Sequence, residues 1–197
     1  MLDEGYIKFK AHWRERPPLP EAEIAELNHW RDQMYRAQLI GAYPDGIGFG
    51  NISRRYAGRQ FIISGSKTGN FAQLDARHYA LVSDYNVERN EVFCEGPLLA
   101  SSESMSHAVV YATCPEVRAV IHVHHLALWE KHLHRLPTTW AAAAYGTPEM
   151  AREIIRLLHE STVRREEQVL VMAGHREGLI AFGEDLAGAG ERLLALC

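Results

Sequence analysis

Val117-Arg118-Ala119-Val120-Ile121-His122-Val123-His124-His125 is the stretch on which the fold turns. Its β-branched residues favour an extended strand, and Pro115 just ahead of it stops the helical pattern of Ser102 to Thr113. Residues two apart in a strand share a face, so His122 and His124 project together while His125 points the other way. Two imidazoles at that spacing suit one small cation. An edge strand with solvated histidines is the competing reading. The apolar run from Val117 to Val123 weighs against it, being too hydrophobic for an exposed strand.

Two histidines are an incomplete site, because a catalytic metal centre needs three protein ligands and an open position. Gly174-His175-Arg176-Glu177-Gly178 offers a third imidazole between the strand-like runs Val169 to Met172 and Leu179 to Phe182. A lone histidine in a turn is more commonly just solvated. Glu103 lies in Ser101-Ser102-Glu103-Ser104-Met105-Ser106-His107, at the opening of the helix. Either Ser101 or Ser102 can cap that helix, and the dipole favours an acid in its first turn, so Glu103 needs no catalytic explanation. His107, one turn further on the same face, is placed either to orient the carboxylate or to pack.

Around these pieces the pattern alternates between α and β. Residues 1–20, with Pro17, Pro18 and Pro20, read as an irregular arm laid on the surface, and 21–197 as a single domain. Glu21 to Leu39 carries Ile24, Leu27, Trp30, Met34 and Leu39 at helical spacing and stops at Gly41. Gln60 to Ser64 is strand-like, and Ala80 to Tyr85 with Glu91 to Cys94 form a hairpin about the turn at Glu88 to Asn90. Thr147-Pro148-Glu149 opens a helix running to about His159, with a capping hydroxyl followed by proline. Leu186 to Leu196 closes the chain as a helix. Mixed elements in this order predict an α/β fold with antiparallel pairing.

Composition narrows the function. A length of 197 residues with 47% hydrophobic and 23% charged suits one soluble domain with one core. A net charge of -4 offers no basic excess, so neither nucleic acid nor an anionic membrane surface is expected as a partner. The densest cations, Arg164-Arg165, run straight into Glu166-Glu167 and read as a solvated turn. No apolar run approaches the roughly 20 residues that cross a bilayer. Cys94, Cys114 and Cys197 show no pairing pattern, which suits reduced thiols and a cytoplasmic protein.

Two glycine-rich loops remain, Gly48-Phe49-Gly50-Asn51-Ile52-Ser53 and Ser64-Gly65-Ser66-Lys67-Thr68-Gly69. Glycines let backbone N–H groups approach an anion, and Asn51, Ser64, Ser66, Lys67 and Thr68 add donors. Ordinary tight turns explain the glycines equally well. Neither loop fits a Walker or dinucleotide pattern, so no nucleotide is expected.

In this order and spacing, Gly50-Asn51-Ile52-Ser53, Ile63-Ser64-Gly65, Ser101-Ser102-Glu103 with His107, Ala119 to His124, and Gly174-His175 resemble the class II aldolase/adducin family. The resemblance implies a three-layer α/β/α domain around a central, largely antiparallel sheet, assembled as a homotetramer with sites at subunit contacts. It implies one divalent ion per chain on His122, His124 and His175, with zinc expected and manganese, iron, cobalt or nickel compatible with such ligands. Glu103 becomes the acid/base, and Asn51, Ser64, Gly65, Ser101 and Ser102 the holders of a substrate phosphate, with Lys67 adding a cation for phosphate or carboxylate.

The implied reaction is an aldolase-type carbon–carbon cleavage of a small, phosphorylated hydroxy-ketone or sugar, through an enediolate that the ion stabilises as a Lewis acid. A sugar-phosphate epimerase, dehydratase or decarboxylase on the same site is the alternative. A non-catalytic adducin-like binding module is more distant, because the ligand set and Glu103 are all present. Arg176-Glu177 stands where a glycine usually follows the late histidine, and no carboxyl-terminal tail brings a tyrosine to the site. Tyr145 is the stand-in for that tyrosine, with core packing as its other role.

Overall fold

The computed structural model describes residues 6–160 and 163–197, so the first five residues of the expected arm lie outside it. Eight strands form one sheet, in the order β1 (Lys10–Glu15), β7 (Glu91–Gly96), β6 (Tyr79–Asn86), β5 (Phe61–Ser64), β4 (Asn51–Arg55), β8 (Ala119–His124), β10 (Gly178–Gly183) and β9 (Val169–Val171). All neighbours are antiparallel except β1 and β7. Two short strands, β2 (Gly41–Ala42) and β3 (Gly48–Phe49), make a separate ribbon.

Helices cover both faces, giving the three layers. One core joins Val120, Ile180, Phe182 and Ile63 to Met105 and Val109 of α2 (Ser104–Thr113) and to Met150 and Ile154 of α4 (Pro148–Leu158). The other joins Ile121, Val123, Leu179 and Ile62 to Ile24 and Leu27 of α1 (Glu21–Arg36) and to Leu193 of α5 (Leu186–Leu196). Alternate residues of one strand therefore feed opposite cores. That explains why β8 and β10 read as continuous apolar runs: every residue of each is buried. Burying each such Val, Leu or Ile contributes about 1.5–3 kcal/mol.

The helix signals act locally as their chemistry requires. Thr147 accepts from Met150 N with Pro148 in the first turn, and Asp185 accepts from Gly188 N to start α5. On α4 the buried residues Met150, Ala151, Ile154, Leu157 and Leu158 make one stripe at helical spacing.

Several elements differ from expectation. The arm is not irregular throughout: Lys10–Glu15 pairs in parallel with β7, His12 stacking on Phe93 at 4.3 Å and Trp13 Nε1 donating to Gly96 O. This edge strand carries no apolar alternation, and five of its six residues are exposed, so its sequence holds no strand signal. Helix α1 ends at Arg36, short of Leu39, and α2 begins at Ser104. Neither Ser101 nor Ser102 is the cap residue of α2. Ser101 instead accepts from Glu103 N through Oγ and from Ser104 through its carbonyl. A further helix, α3 (Leu126–His132), follows β8 directly, with His125 as its cap accepting from Leu128 N. Val163–Glu167 forms one π-helical turn with Arg165 and Glu166 exposed.

Candidate active site

The site forms where the ends of β8, β4 and β10 meet the opening of α2. His122 and His124 lie on the face of β8 shared with Val120, turned toward α2 and α4. Register puts Asn51 of β4 and Ile180 of β10 opposite His122, and Gly178 opposite His124. A side chain at Gly178 would press on the His122 ring, so the glycine leaves room for that imidazole. The turn between β9 and β10 then delivers His175. The ligand atoms of His122, His124 and His175 all lie within 4.8 Å of one another, and all three residues are buried. The cluster holds a constellation able to take a divalent metal ion.

Two glycines make this geometry reachable. Gly50 has φ of +76 and comes up against the His122 carbonyl, which only a residue without Cβ tolerates comfortably. A Cβ on Gly174 would run into the backbone of Ala143. The segment before α4 therefore lies flat against the His175 turn, and Tyr145 stacks on His175 with centroids 4.5 Å apart. Tyr145 is buried, as its core-packing role expects, and its hydroxyl is engaged by the arm. Its hydroxyl accepts from Tyr6 N and donates to Tyr6 O, and Lys8 covers its ring at 3.9 Å.

The imidazole partners test whether the cluster fits a cation. His122 Nδ1 faces the Leu179 carbonyl at 3.0 Å, and a carbonyl only accepts, so Nδ1 carries the proton. Tyr43 gives its one hydroxyl proton to Glu177 Oε2 at 2.9 Å, so it accepts from His124 Nδ1 at 3.0 Å. Burial holds His124 well below the ordinary histidine pKa, reinforced by His175 and His122, so the ring is neutral. Both Nε2 atoms then present lone pairs, facing each other at 3.0 Å. Facing lone pairs repel unless positive charge lies between them. The nitrogens of a tetrahedral zinc site sit about 3.3 Å apart, close to this spacing. The donor set fits a divalent ion.

Glu103, 1% exposed, completes the cluster: Oε1 stands 3.8 Å from His175 Nδ1 and has no hydrogen-bond partner among the described residues, while Oε2 accepts from Ser106 Oγ at 2.6 Å. The sequence signal for Ser106 is its spacing of three from Glu103 on a helix, which puts the two side chains on one face. His107 does not orient Glu103. It bonds Ser53 Oγ at 2.6 Å, and Ser53 in turn meets Tyr111, in a buried network under the sheet.

Beside the cluster lies a cavity of about 770 Å³. Asn51, Gly65, Lys67, Ser101 and Ser102 line it; the histidines and Glu103 do not. The link is through Asn51, cross-strand neighbour of His122, and Ser102, next to Glu103. Asn51 is buried, and its Oδ1 has no partner among the described residues. Ser64 is not brought to the cavity wall, and its Oγ accepts from Ile52 N within the sheet. The Gly65 N–H is likewise committed, to His78 O. Arg31 went unread in the sequence: it sits in the buried stripe Ile24, Leu27, Arg31, Met34 and donates to the carbonyls of Thr68, Gly69 and Ala72. A charged residue on an apolar stripe was the signal.

Residues 43–196 match the profile of the Class II Aldolase and Adducin N-terminal domain. The chain belongs to the class II aldolase/adducin family. Solved structures of class II aldolase type share the fold. An L-fuculose 1-phosphate aldolase is 21% identical with TM-score 0.68, covering 91% of this chain and 84% of its own. The L-fuculose-1-phosphate aldolase of Thermus thermophilus is 23% identical with TM-score 0.59, covering 87% of each. A sugar-phosphate aldolase of Thermotoga maritima is 16% identical with TM-score 0.65, covering 89% and 90%. At these identities the likeness carries the fold. No curated protein sequence is similar enough to count as a relative. Among the described residues, no helix of this class II aldolase/adducin domain is long and apolar enough to cross a membrane.

Proposed function

We propose that this chain is a divalent-metal-dependent aldolase-type lyase acting on a small, phosphorylated hydroxy-ketone or sugar. The observation that carries the proposal is Glu103: a buried carboxylate with one oxygen anchored by Ser106 and the other unbonded beside a three-histidine cluster. When bound at His122, His124 and His175, the ion supplies Lewis-acid stabilisation of negative charge on a substrate oxygen.

The protein groups do the rest. Asn51, Ser101, Ser102 and Lys67 hold the anionic end of the substrate at the cavity wall, with backbone and hydroxyl donors suited to phosphate. That fixes the reacting end toward Glu103 and the histidines. Glu103 Oε1 then moves a proton to and from the carbon beside the carbonyl, while the Ser106 hydroxyl keeps the carboxylate in place. Tyr6 and Ile7 of the arm form part of the cavity wall.

Epimerase, dehydratase or decarboxylase chemistry on the same site is the second reading. Glu103 beside the three-histidine cluster would serve that chemistry equally. Family resemblance extends the proposal to a homotetramer, against which sedimentation as a monomer would stand.

Metal content of the purified protein, with a His122→Ala/His124→Ala double variant, is the first test. About one divalent ion per chain, lost in the variant, supports the metal reading, and product analysis on a panel of ketose phosphates then separates lyase from epimerase. A wild type that takes up no zinc, cobalt or manganese sinks it and leaves the binding-module reading.

A further inference from the structure

Glu177 is held at φ of +71, a left-handed backbone that costs a non-glycine residue energy, immediately ahead of Gly178. In that conformation its carboxylate reaches Tyr43, which lies 134 positions away in the ribbon between β2 and β3, at 2.9 Å. Tyr43 in turn contacts His124 Nδ1 at 3.0 Å. The Glu177 carbonyl accepts from His125 N, so one residue clasps the end of β8 from both its backbone and its side chain. Phe49 packs on the Tyr43 ring at 4.7 Å and fixes the phenol in this line.

The geometry points to Glu177 and Tyr43 as positioning residues that set the metal affinity of His124, resting on the metal reading proposed above. The carboxylate draws the Tyr43 proton toward itself and makes the phenol oxygen a stronger acceptor for His124 Nδ1–H. An imidazole that donates a stronger hydrogen bond is a more electron-rich ligand at its other nitrogen. The pair also locks His124 in the tautomer that leaves Nε2 for the ion.

The test is titration of the metal-free protein with zinc against a chromophoric chelator, for wild type, Glu177→Gln, Tyr43→Phe and the double variant. Glu177→Gln and Tyr43→Phe should each lose about 10–100-fold in affinity, the effect typical of outer hydrogen-bond partners of metal-bound histidine. Because Glu177 acts through Tyr43, the double variant should lose no more than Tyr43→Phe alone. A double variant whose loss is the product of the two singles overturns the relay, and so do singles within twofold of wild type.

Glu177→Gly separates positioning from folding. It relieves the left-handed strain, so the metal-free protein should melt at or above the wild-type temperature while its zinc affinity still falls. A lower melting temperature with a matching loss of affinity would make Glu177 a structural residue and end the proposal. Wild type that binds no zinc at all is the separate failure, that of the metal reading itself.

Discussion

Ser106 Oγ donates to Glu103 Oε2 at 2.6 Å, leaving Glu103 Oε1 turned toward His175 Nδ1 at 3.8 Å. One carboxylate oxygen is thus a fixed anchor, and the other is the reagent of the proposed reaction. Glu103→Gln keeps the shape and the Ser106 contact but removes the proton acceptor. Turnover should fall about 10²–10⁴-fold, the usual contribution of a placed acid/base, with the ion retained. Steady-state kinetics alongside metal analysis checks this, and loss of the ion instead would make Glu103 chiefly a ligand.

Arg31 carries its charge in a buried stripe of α1 and spends it on the carbonyls of Thr68, Gly69 and Ala72. Residues 65–70 form part of the cavity wall, so Arg31 shapes that wall from behind. Arg31→Met should cost about 3 kcal/mol of stability, since charged hydrogen bonds to buried carbonyls are lost together. If that wall holds the phosphate of the proposed substrate, KM should rise more than kcat falls. Urea unfolding and the kinetic split decide it, and an unchanged KM would place the anion elsewhere.

His107 is buried and its pKa is held well below the ordinary 6.5 by burial first and His122 second. Above pH 6.5 the ring is neutral both folded and unfolded, and it adds no pH dependence. As the pH falls below that value the unfolded chain takes up a proton that the folded protein refuses, so stability drops by about 1.4 kcal/mol per pH unit from this group. His107→Gln should flatten the acid limb of a stability–pH curve for the metal-free protein. The same slope in wild type and variant would assign it to another group.

Gly174 faces the Ala143 backbone with no room for a Cβ. Gly174→Ala must therefore push apart the segment carrying Tyr145 and the turn carrying His175. A loss of about 1–3 kcal/mol is expected, typical of overpacking, together with weaker metal uptake because His175 moves. Unfolding and metal titration on one preparation test both at once.

The sequence by itself determined the strand of His122 and His124, because alternation along a strand puts residues two apart on one face wherever the strand lies. It determined the Thr147–Pro148 helix start and the closing helix through local capping chemistry, and β6 with β7 through their turn. Through the family resemblance carried by its motifs, it also implied the four groups of the cluster, His122, His124, His175 and Glu103, which the structure brings together.

Tertiary structure decided the rest. Only the packed fold places Tyr43 against Glu177, Tyr145 on His175 and Ser64 away from the cavity, since those contacts join segments far apart in the chain. Strand β1 is likewise invisible locally, because its stability comes from the ladder with β7 and not from any pattern of its own. Local chemistry fixes which residues can act; which of them meet depends on how the two cores draw distant segments across the sheet.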